Sequence, residues 1–60
     1  MSWYLVRYQL QQPGPFVELR VEAEHMLYAI HDAGAALRKL GKVADDEPDP
    51  EPCQVRRVRP

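Results

Sequence analysis

Residues 16–30, FVELRVEAEHMLYAI, decide the fold. Up to Ala23 the apolar residues come every second position. Val17, Leu19, Val21 and Ala23 point one way, while Phe16, Glu18, Arg20 and Glu22 point the other. That is the period of a half-exposed antiparallel strand. From Glu24 the spacing lengthens. Met26, Ile30, Ala33, Leu37 and Leu40 follow at intervals of four, three, four and three, forming one helical stripe that Leu27, Ala29 and Ala36 widen. The chain thus passes from strand to amphipathic helix at one point.

On the N-terminal side, residues 3–10 are aromatic and β-branched, as strands are. Tyr4, Val6, Tyr8 and Leu10 share one face; Trp3, Leu5, Arg7 and Gln9 share the other. Gln11-Gln12-Pro13-Gly14-Pro15 reads as a turn, with Gly14 free to take positive φ, so strands 3–10 and 16–23 form a hairpin. On the C-terminal side the helix spans 24–40, with acids near its start, bases near its end and Gly41 as its C′ residue. Gly34 in mid-helix costs about 1 kcal/mol relative to Ala, which suggests close approach to the sheet. Residues 44–52 carry prolines at 48, 50 and 52 and read as an extended, acidic loop. Residues 53–59 form a short strand in which Val55 and Val58 have opposite parity, which predicts a bulge or a frayed end.

The expected fold is α+β: a single ββαβ domain, with one helix packed on one face of a three-stranded sheet. A right-handed crossover sets strand three parallel in direction to strand two, giving an antiparallel-plus-parallel sheet. Spatial order 2-1-3 places the most apolar strand centrally and the arginine strand on an edge, where charge discourages aggregation. The opposite sheet face displays Trp3, Leu5, Arg7, Phe16, Glu18, Arg20 and Glu22.

Sixty residues make one domain at most, and a chain this short hides only about 60% of its unfolded surface. A pocket of usual size, roughly 300–1,000 Å³, would consume most of its interior, so an exposed face or groove is the expected working part. The single Cys53 excludes an intramolecular disulfide and points to a reducing compartment. Met1 runs directly into strand-like sequence, and no apolar run is long enough to cross a bilayer, so a cytoplasmic protein without membrane contact is expected. The net charge of −1 hides an asymmetry: Asp45, Asp46, Glu47, Asp49 and Glu51 are followed at once by Arg56, Arg57 and Arg59.

No constellation for catalysis, cofactor or metal emerges. His25 and His31 lie on different sides of the helix. Cys53 has no metal-ligand partner in sequence, and Ser2 is the only serine. The acidic run lacks the central glycine of a calcium loop. A non-enzymatic protein without a small-molecule substrate is therefore expected. The acidic run is either a solvated linker or an electrostatic bait, its carboxylates spaced like backbone phosphates and held extended by proline. The arginines either bind nucleic acid directly, with Trp3, Tyr4 and Phe16 for stacking, or protect an edge and pair with the neighbouring acids. The open face mixes Trp3 and Phe16 with Glu18 and Glu22 and suits a partner or a dimer contact; alternatively Trp3 packs on the C-terminal tail. The residues expected to bind a partner are thus Asp45, Asp46, Glu47, Asp49, Glu51, Trp3, Phe16, Glu18 and Glu22, on a monomer or weak homodimer.

In size and in strand–strand–helix–strand order across residues 3–59, with Val21-Glu22-Ala23 leading into Ala29-Ile30 and Ala33, the chain resembles some anti-CRISPR proteins, small inhibitors encoded by phages and mobile elements. That resemblance implies a protein partner in a CRISPR–Cas effector, residence in the host cytoplasm, and a mechanism in which the inhibitor covers a lysine- or arginine-rich site and stops DNA from loading. The alternatives are a nucleic-acid-binding or autoregulatory module using Arg56, Arg57 and Arg59, and a homodimerising assembly factor.

Overall fold

A computed structural model describes residues 1–11 and 13–59; Gln12, within the expected turn, lies outside them. The elements are β1 (Ser2–Tyr8), β2 (Val17–Ala23), α1 (Met26–Lys39) and β3 (Gln54–Val58). The sheet order is β2-β1-β3. β1 pairs antiparallel with both neighbours, with Val6 opposite Leu19 on one side and Val55 on the other. β3 does run in the direction of β2, but its ladder is with β1. The expected antiparallel-plus-parallel sheet is therefore two antiparallel ladders.

The pleat sorts the side chains. Tyr4, Val6 and Tyr8 turn to the helix and are buried together with Ala23, Ala29, Ala33, Leu37 and Val43; Leu10, Val17, Leu19, Val21 and Val55 pack around them. The helix buries the expected stripe, but leaves its two ends uncovered. Its buried positions are Ala29, Ala33, Gly34 and Leu37, while Met26 and Leu40 are 44% and 62% exposed. The reason is volume. The sheet contributes two tyrosines to the interface, so the helix approaches through its smallest residues, and only the middle of its apolar stripe is covered.

β1 stops at Tyr8 rather than at Leu10. Beyond it, Gln9 Nε2 donates to the Gly14 carbonyl at 3.1 Å, turning the chain. Gly14 does not have positive φ. Its role is close approach: a Cβ there would sit 2.6 Å from the Gln11 carbonyl oxygen.

The helix begins at Met26, so Glu24 lies outside it and the first turn carries no acid; the N-cap is His25, without a side-chain capping bond. The C-terminus is fully made. Gly41 N–H donates to Arg38 O at 3.0 Å and Lys42 N–H to Leu37 O at 2.9 Å, and Gly41 has φ 77°. This paired pattern is the Schellman motif, which needs glycine at C′. It directs Val43 back into the core and launches the acidic loop beside the last helical turn. Gly34 approaches that loop rather than the sheet: a Cβ on it would meet the Asp49 carboxylate at 3.9 Å, ordinary contact.

β3 has no bulge. Its register is regular from Gln54 to Val58, and the two valines serve opposite faces. Val55 packs against the core, and Val58 lies across from Trp3 on the open face. No helix among the described residues is long and apolar enough to cross a membrane.

Candidate functional site

The expected partner-binding residues fall in two separate places. The five acids are in the loop against the helix. Trp3, Phe16, Glu18 and Glu22 are on the opposite, open face of the sheet, and the fold does not bring the two sets together.

The loop is organised by Arg38, in the last turn of α1. Its Nη1 donates to Ala44 O at 2.6 Å and its Nη2 to Glu47 O at 2.6 Å. Nε and Nη2 both reach Asp49 Oδ1, at 3.1 and 2.7 Å. One planar guanidinium thus holds three points of the loop, which a lysine could not do with the same geometry. Within the loop, Glu47 N–H donates to Ala44 O at 3.1 Å and Ala44 N–H donates to Glu47 Oε1 at 3.2 Å. Residues 44–47 therefore form a closed turn, not the extended run expected from the prolines. Arg38–Asp49 is a half-exposed pair, with side chains 23% and 64% accessible, and such pairs contribute only about 0–1 kcal/mol alone. The two carbonyl bonds add to it, because they fix backbone rather than a mobile side chain.

Asp49 is thereby committed, and Glu47 partly so. Asp45, Asp46 and Glu51 are exposed and have no hydrogen bond or ion pair with the described residues. Beneath the loop, Tyr8 is wholly buried, and its hydroxyl has no partner among the described residues. Burial first, and the Asp49 charge second, push its ionisation above the usual tyrosine range.

The open face is largely occupied with itself. Arg7 donates through Nε and Nη2 to Glu18 Oε2 at 3.2 and 3.0 Å and stacks over Phe16, its Cζ 5.1 Å from the ring centroid. Arg20 reaches across β1 to donate to the Arg59 carbonyl at 3.2 Å. Trp3 is half-buried, in register with Glu22 on β2 and Val58 on β3. Glu22 is exposed. Glu18, bound to Arg7, is not a free acid.

Arg56, Arg57 and Arg59 form no ion pair with the neighbouring acids; the two ion pairs among the described residues are Arg7–Glu18 and Arg38–Asp49. Among the other candidate ligands, the His25 ring stacks on Tyr28 at 4.1 Å, and Cys53 N–H and Sγ both donate to Arg7 O, at 2.8 and 3.4 Å. No group of three or more His, Cys, Asp or Glu among the described residues is placed to hold a metal ion.

Sequence reasoning missed Arg38, which it counted only among the bases near the helix end. The available signal was its place: three residues before the C′ glycine, where a side chain can reach back over the chain that leaves the helix. Compared with protein-family models, curated proteins and solved structures, the chain matches none of them.

Proposed function

We propose that this is a non-enzymatic binding domain that offers a pre-shaped anionic loop to a basic surface on another protein, of the kind that otherwise holds nucleic acid. The observation that carries this reading is the Arg38 clamp, which fixes the loop backbone through Ala44 and Glu47 while Asp45, Asp46 and Glu51 have no partner among the described residues. Carboxylates held on an ordered backbone dock at less entropic cost than the same charges on a free tail. A lysine- or arginine-rich channel is the complementary surface, and electrostatic matching of this kind governs encounter rate and partner choice. In the reading drawn from layout, that channel belongs to a nucleic-acid-guided defence complex of the CRISPR–Cas type, and occupying it keeps DNA from loading.

The test compares the intact chain with the variant Asp45→Asn/Asp46→Asn/Glu51→Gln as inhibitors of DNA binding by purified effector complexes of that type, in a mobility-shift assay. The expected result is inhibition by the natural chain, weakening as salt rises, and its loss in the variant. Equal inhibition by both chains would move the contact to Trp3 and Phe16; no inhibition by either removes the proposed target.

A further inference from the structure

We propose that the hollow at the β1–β3 end of the sheet is a binding site for a phosphate group carried on an apolar or planar body, as in a nucleotide. This does not rest on the acidic-loop reading. The hollow has a volume of about 390 Å³ and is lined by Met1, Ser2, Trp3, Arg57, Val58 and Arg59. By the pleat, Ser2 and Arg57 belong to the helix-facing side and Trp3 and Val58 to the open side, so the hollow wraps around the end of the two strands. Its volume lies in the range of small-molecule pockets, roughly 300–1,000 Å³, and exceeds what a lone phosphate fills.

The chemistry of the lining is one-sided. Its six residues include two arginines and a serine, and no acid. The chain has nine acids, yet neither the Arg57 nor the Arg59 side chain is paired with one among the described residues. The acidic loop enters β3 at the far end, beside Arg7, where Cys53 N–H meets Arg7 O at 2.8 Å. Nothing in the loop therefore cancels the charge of the hollow. Arg20 adds a third guanidinium near the rim, donating to the Arg59 carbonyl at 3.2 Å and fixing the backbone from which Arg59 projects. Planar guanidinium forks match phosphate oxygens in pairs. The apolar wall, from Met1, Trp3 and Val58, gives the body of the ligand a surface to cover.

Trp3 is the sole tryptophan, so its fluorescence reports on the hollow directly. The intact chain is titrated with inorganic pyrophosphate, with ADP and with a short single-stranded oligodeoxynucleotide, and thermal unfolding is followed alongside. A saturable change in Trp3 emission, with a matching rise in Tm, is the expected result. Tighter binding of ADP identifies a free nucleotide as the source of the phosphate; tighter binding of the oligonucleotide identifies a strand. Arg57→Ala and Arg59→Ala should each weaken binding by about tenfold, the effect of one charge-assisted bond. Arg56→Ala, outside the hollow on the open face, should leave it unchanged. The proposal is overturned if millimolar ligand changes neither emission nor Tm, or if the Arg57 and Arg59 variants bind as the natural chain does. It is also overturned if emission depends only on protein concentration and Asp45→Asn/Asp46→Asn abolishes the change, since the hollow would then be taking the loop of a second copy.

Discussion

The acidic loop and the arginine strand are neighbours in sequence and opposites in organisation. Residues 45–51 carry five acids and residues 56–59 three arginines. The loop has an internal counter-charge, Arg38, which binds it at Ala44, Glu47 and Asp49. The arginine strand has none among the described residues: its backbone pairs with β1, and its guanidinium groups make no ion pair there. The lesson is that sequence proximity does not neutralise charge once a strand intervenes. The direction of β3 carries Arg57 and Arg59 to the far end of the sheet, while the Schellman turn holds the acids beside the helix. A molecule of net charge −1 thereby keeps its acidic loop apart from Arg57 and Arg59.

The most direct way to break this comparison is to remove the support of the loop end. Leu37 is wholly buried, and its carbonyl receives the Lys42 N–H that closes the helix. Leu37→Ala leaves a cavity under the last turn and should cost about 2–5 kcal/mol, a large share of the stability of a chain this small. Chemical denaturation measures it. A loss under 1 kcal/mol would mean that the helix end is not packed as described.

A smaller change separates the loop from the fold. Arg38→Ala deletes four hydrogen bonds to Ala44, Glu47 and Asp49. Because the cluster is partly solvated, the expected loss is only about 1–2 kcal/mol. The larger effect should be local: faster amide hydrogen exchange at Glu47 with little change in β1. Uniform exchange across the chain would show that the loop and the sheet open together, and the contrast between an organised loop and a free strand would lose its basis.

How far the sequence reveals this depends on what kind of feature is asked for. The switch of period at Ala23, the helix stop at Gly41 and the central place of the apolar first strand are local or pairwise facts, and the order 2-1-3 follows from them. How much of the helix stripe is covered is not local. The hydrophobic stripe nominates Met26 and Leu40 for the core along with Ala33 and Leu37, but the sheet covers only its middle, and Gly34 is buried against the loop at Asp49. Val58 reads as an irregularity only against one covered face, whereas Trp3 gives it a neighbour on the other. Arg38 was invisible for the same reason that loops are hard to read: its partners are carbonyl oxygens, which every residue has. Of the candidate site, the identity of the acids was legible; which of them are spent and which are free was not.

The finest test concerns what lies under the loop. The Tyr8 hydroxyl is buried without a partner among the described residues, with Asp49 close enough to raise its ionisation further. An unsatisfied buried hydroxyl carries a desolvation cost of about 1–3 kcal/mol. Tyr8→Phe should therefore stabilise the chain, by about 1 kcal/mol once the lost contacts of the oxygen are offset. The pH dependence follows from the direction of the shift. In the folded chain the phenol holds its proton above the pH at which the unfolded chain, near 10, begins to release it. Its contribution is constant below that pH, and the natural chain should lose stability as pH rises through and beyond it. Tyr8→Phe should flatten that limb. If Tyr8→Phe instead destabilises, the hydroxyl donates to Asp49 in solution. The loop would then be pinned at Asp49 from beneath as well as from Arg38, and would be the more rigid of the two regions by a second bond.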